Sequence, residues 1–136
     1  MEKTINIWEG FNFTERKGKS SLKYLEEQKN SFISKTQGVM KLEIETTNSS
    51  DYQTLTYDVY IVSNTLGGYR KKIITIIESD RVNYFPVTIM SQGLTGKVLS
   101  FVEEKDFLDK LEEMLLVSTI KRTIENLYIQ SKENSK

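Results

Sequence analysis

Between residues 55 and 92 the apolar positions fall into three consecutive runs, separated by short polar turns. In the first, Leu55, Tyr57, Val59 and Ile61 alternate with Thr56, Asp58, Tyr60 and Val62. A period of two is the mark of a half-buried strand, which predicts a strand over residues 54–63. Asn64-Thr65-Leu66-Gly67-Gly68 follows, and its glycines tolerate the positive φ of a tight reversal, so residues 69–79 return as a hairpin. The polar stretch Glu78-Ser79-Asp80-Arg81 leads into a further strand over 82–92. Upstream, Met40, Leu42 and Ile44 alternate with Lys41, Glu43 and Glu45, so residues 39–47 form the first strand with one face toward water.

Two strands depart from clean alternation. Ile73, Ile74, Ile76 and Ile77 leave the third without a polar side, which predicts a central strand covered at least partly on both faces. Pro86 interrupts the fourth and donates no ladder hydrogen bond, which places that strand at an edge or gives it a bulge.

The flanks follow a helical period. Leu22, Leu25, Phe32 and Ile33 recur at mostly helical spacing behind Ser20 and Ser21, either of which caps a helix over 21–35, with Gly38 as its stop. Gly93-Leu94-Thr95-Gly96 reads as the end of the sheet. Downstream, Ser100-x-x-Glu103 has the spacing of a capping box, with Asp106 as a competing start. Phe107, Leu108, Leu111, Met114 and Leu115 form one stripe, while Ile120, Ile124, Leu127 and Tyr128 form a second in a different phase. The change near Val117-Ser118-Thr119 gives two helices or one kinked helix. The expected fold is α+β: an N-terminal helix, a four-stranded antiparallel meander, and one or two C-terminal helices packed on one face of the sheet. Residues 1–136 read as one domain, with 1–19 a short strand or an aromatic docking arm and 131–136 a frayed polar tail.

Composition changes the picture mainly by subtraction. With no histidine and no cysteine, the chain has no disulfide, thiolate nucleophile, imidazole base or Cys/His zinc set. Its 19 basic and 19 acidic residues cancel, so no global field steers it to nucleic acid or an anionic membrane. No apolar run reaches the about 18 residues of a membrane span. The expectation is a soluble cytoplasmic protein without a cofactor or membrane partner.

The remaining chemistry is local. Gly18-Lys19-Ser20 and Gly93-Leu94-Thr95-Gly96-Lys97 invite a phosphate-loop reading, but Phe13 stands where the first needs glycine and Val98 where the second needs a hydroxyl. Arg70, Lys71 and Lys72 form the densest basic run, and with nearby tyrosines they offer a nucleic-acid surface, although alternation divides them between two faces. Glu43, Glu45, Asp58 and Glu78 are the strand carboxylates from which a magnesium-dependent nuclease would be built. Six carboxylates between Glu103 and Glu113 make the start of the C-terminal helical region acidic, which suits a helix N-terminus or a basic partner. Tyr57, Tyr60 and Tyr69 mark a sheet surface for a partner. Ile129 lies off the helical stripe and marks a second, either a dimer seam or a partner groove, which Trp8, Tyr52 and Tyr60 could join.

The leading functional expectation is a small non-enzymatic protein–protein interaction domain: an adaptor, inhibitor or accessory factor of bacterial or mobile-element origin, with an unidentified protein partner and a homodimer open. A nucleic-acid-binding protein is the second reading and a carboxylate nuclease the third.

Overall fold

The computed structural model describes residues 20–51, 53–79, 84–93, 96–116 and 118–135; for 92, 93, 96–100, 118 and 119 the description is confined to the backbone. The expected N-terminal strand or arm, Trp8, Tyr52 and the Gly18-Lys19 pair lie outside those residues. Helix α1 (Ser21–Lys35) is followed by strands β1 (Met40–Asn48), β2 (Leu55–Ser63), β3 (Tyr69–Glu78), β4 (Val87–Gly93) and β5 (Gly96–Val102). A 3-10 turn (Glu104–Asp106) then leads into α2 (Phe107–Leu115) and α3 (Ser118–Asn134). All neighbouring strands pair antiparallel in the order β1-β2-β3-β4-β5. No helix among the described residues is long and apolar enough to cross a membrane.

Helix α1 has the predicted bounds because both ends are chemically closed. The Ser20 hydroxyl accepts from the Lys23 amide at 3.1 Å, satisfying one of the first orphan N–H groups. At the other end, Gly38 N–H bonds Ile33 O and Gln37 N–H bonds Ser34 O, the paired bonds of a Schellman stop. Gln37 occupies the left-handed position with φ 55°, and Gly38, the predicted stop, follows at 79°.

The sheet carries one strand more than expected. Gly93 and Gly96 face each other across a hairpin, so they turn β4 into β5 where the sequence suggested the sheet had ended. β4 is therefore internal, which corrects its expected edge position. Pro86 immediately precedes Val87, the first residue of β4, so its missing N–H removes no bond from the ladder.

β3 is central, as predicted, but its apolar run has a different cause. Val59 pairs with Ile74 whereas Tyr60 pairs with Lys72, which leaves Ile73 as the extra residue of a bulge. Ile73 and Ile74 both belong to the core, Ile76 continues it, and Ile77 stands half-buried on the opposite face. The bulge also sets the side on which the preceding residues emerge. Arg70 and Lys72 share a face with Tyr60, while Tyr69 and Lys71 align with Ser63 and Ile61 on the helix side.

The core lies between the helix layer and one sheet face. Met40, Val59, Ile61, Ile74, Ile76 and Ile89 form its floor, and Leu25, Phe107, Leu111, Met114, Ile120 and Leu127 close it from above. α1 lies over β1 and α3 over β2. Each isoleucine removed from water here contributes on the order of 1.5–3 kcal/mol. An aromatic cluster fixes one end and a set of hydroxyls the other. Tyr24, Phe85 and Phe107 cluster with ring centroids 5.5–6.4 Å apart, joining α1, the approach to β4 and the start of α2. At the opposite end, Ser131 begins the tail expected to fray, yet it is fully buried and its hydroxyl lies 2.6 Å from that of Ser63. Thr65 donates to the Ser131 carbonyl at 2.7 Å, so the last turns of α3 are tied to the β2–β3 hairpin.

Candidate functional site

The face of the sheet turned away from the helices divides into two strips. Over β1, β2 and the start of β3 it is charged, and its charges are already matched. Arg70 reaches Glu45 at 2.7 Å and Glu43 at 3.5 Å, and its guanidinium lies 3.8 Å from the centre of the Tyr60 ring. Beside it, Asp58 accepts from the Thr75 hydroxyl at 2.7 Å and has Lys72 at 3.9 Å. The hydrogen bond to Glu45 holds the Arg70 pKa above its ordinary value. The Arg70 guanidinium is thus paired with two carboxylates and stacked on one face of Tyr60. Lys71 lies on the other side of the sheet. The basic run therefore does not form one patch.

Over the second half of β3, β4 and β5 the described side chains on the same face are Ile77, Met90 and Phe101, interspersed with Thr75 and Thr88. Ile77, Thr88 and Phe101 align across the three strands, with Met90 one step along on the same side. Ile77 and Met90 are half-buried, while Phe101 is 79% exposed, the most exposed of the large apolar side chains among the described residues. Sequence reasoning missed Phe101 because β5 itself was missed; the alternation of Val98, Ser100 and Val102 with Lys97, Leu99 and Phe101 was the available signal.

The tyrosines expected on one interaction surface part company. Tyr57 is corrected outright: at 2% exposure it belongs to the core, because it sits an odd number of positions from Tyr60 and faces the helices. Its hydroxyl points to Glu78 at 3.4 Å. Tyr69 is 52% exposed on the helix side, beside a shallow groove with Thr123, Asn126 and Gln130 of α3. Ile129, 54% exposed, points outward from α3.

The four strand carboxylates do not converge either. Glu45 and Asp58 are cross-strand partners on the open face, whereas Glu78 is completely buried on the helix side. The Ser21 hydroxyl, in the first turn of α1, donates to Glu78 at 3.1 Å, which places the carboxylate at the positive end of that helix. Ser21, Tyr57 and Glu78 are each closed to solvent. Their arrangement anchors the helix to the sheet and offers a substrate no entry.

A second candidate lies within the helix layer. α1 stands apart from α2 and α3, and the gap opens a cleft of about 450 Å³ down to the sheet. Leu42, Val59, Ile73 and Ile74 form its floor; Leu25 and Phe32 line one wall, and Leu108, Leu111, Leu115 and Leu116 the other. Its polar lining among the described residues is Gln28, Ser31 and Lys35 on α1, with Glu112 on α2. No protein-family model, curated protein or solved structure matches this chain.

Proposed function

We propose that this chain is a non-enzymatic protein-interaction domain, an adaptor, inhibitor or accessory factor, whose protein partner docks on the open face of the sheet. The observation that carries this reading is the strip of Phe101, Ile77 and Met90 beside a strip of charges already paired with one another. An exposed aromatic bordered by apolar neighbours and a polar rim has the anatomy of a binding hot spot. Removing Phe101 from water would supply a large apolar contribution, while the neutralised rim demands no opposite field from the partner.

The test is affinity capture from a lysate of the source cell by the immobilised protein and by its Phe101→Glu variant, with bound species identified by mass spectrometry. A defined protein retained by the parent at about 1 M salt, where screening acts within about 3 Å, and lost from Phe101→Glu supports the reading. Retention that ignores Phe101→Glu overturns the assigned surface. Recovery of nucleic acid that elutes with moderate salt would overturn the protein-binding reading itself, since release of counterions makes phosphate contacts steeply salt-dependent.

A further inference from the structure

We propose that the cleft between α1 and the α2–α3 pair binds a linear aliphatic carboxylate, its chain over Leu42 and Ile74 and its carboxylate at Lys35. The inference is independent of the open sheet face, because the cleft lies on the other side of the sheet. A volume of about 450 Å³ falls within the range of roughly 300–1,000 Å³ typical of small-molecule sites. The interior of such a site is apolar, with a few polar groups that fix orientation, and this cleft matches that division.

Charge selects the head group and its place. Gln28, Ser31 and Lys35 lie at helical spacing along the wall formed by α1, so the donors end in an ammonium at the C-terminal end of that helix. Lys132 of α3 lies outside the cleft lining and donates to Gln37, two residues beyond Lys35. Glu112 stands on the wall formed by α2, across from these donors. An anionic head at the Lys35 end meets the Lys35 ammonium, and at the wall bearing Glu112 it would meet a like charge. A cationic amphiphile would face the reverse.

Calorimetric titration with octanoate, decanoate and dodecanoate, each below its micelle concentration and with the fold followed by circular dichroism, tests the chain. Saturable one-to-one binding that tightens about fourfold per added methylene until the cleft is full is the expected result. Dodecyltrimethylammonium tests the head and should bind more weakly by about fivefold, with Lys35→Glu reversing that order. Lys35 is exposed, so the variant keeps its fold. Leu108→Glu at the exposed rim should weaken every ligand, while Phe101→Glu on the other face should leave all of them unchanged. Absence of saturable binding overturns the site, as does binding insensitive to both Lys35→Glu and Leu108→Glu. Equal affinity for the cationic amphiphile overturns the carboxylate.

Discussion

Tyr24 shows how much one hydroxyl does at a helix junction. It donates to Glu104 at 2.8 Å and packs against Phe85 and Phe107, so it ties α1 to the turn that opens α2. The hydrogen bond to Glu104 is the main reason its pKa lies above the ordinary value of 10.0, followed by partial burial and the nearby Glu104 and Glu27 charges. The folded state thus holds the phenolic proton more tightly than the unfolded chain. The corresponding stability is fully present below pH 10.0 and is lost as pH rises through the folded pKa. Tyr24→Phe should cost about 0.5–1 kcal/mol at neutral pH and flatten the alkaline fall in stability. Denaturant melts between neutral pH and about pH 11 would show both effects, and an unchanged alkaline slope would place the shift elsewhere. Glu78 is the opposite case at the same scale. In the sequence it is one more strand carboxylate, and only the position of α1 converts it into a buried anchor for Ser21 and Tyr57.

Among the elements, β3 is where pattern and structure diverge most instructively. Four isoleucines in five positions suggested two covered faces, yet the extra residue Ile73 directs two consecutive side chains to one face. Deleting Ile73 would leave Lys72 and Ile74 adjacent in strict alternation, each keeping its face and its partner on β2. The pairs of Arg70 with Glu43 and Glu45 and the burial of Ile74 and Ile76 would both survive. The cost of the deletion should therefore not exceed that of Ile73→Ala, about 2–5 kcal/mol, with about 1 kcal/mol for Ile73→Val. A deletion much costlier than Ile73→Ala in urea unfolding would remove the bulge from the account. Pro86 and β5 carry the same lesson. A proline just ahead of a strand and a pair of glycines inside a hairpin look, in one dimension, like an interruption and an ending.

At the scale of the molecule, the fold is one sheet with one helix layer, and its two faces differ in kind. Central strands β2, β3 and β4 are paired on both sides and floored by the core, whereas the outer edge of β1 pairs with no described strand. Hydrogen exchange should therefore be slowest for amides of Val59, Ile74, Ile76 and Ile89, and much faster for the outward amides of β1. Protection of β1 equal to that of β3 would mean that its edge is covered. Both proposed sites are also properties of this scale. The apolar strip exists because β5 pairs with β4, and the cleft exists because α1 stands apart from α2 and α3.

The sequence by itself determined the type and order of most elements: α1 residue for residue, the turn at Gly67 and Gly68, three strands close to their bounds and the break between α2 and α3. These are local properties, because a period of two or 3.6 and a cap are written within a few neighbouring residues. Tertiary structure decided which apolar and charged residues are free to act. Tyr57 and Tyr60 sit on the same strand with similar chemistry, but one lies beneath the helix layer and the other beneath Arg70. Phe101 and Ile89 are both apolar strand residues, yet one is exposed and the other wholly buried. Burial depends on what a distant segment lays over a residue, and a chain read from neighbour to neighbour contains no term for that distance.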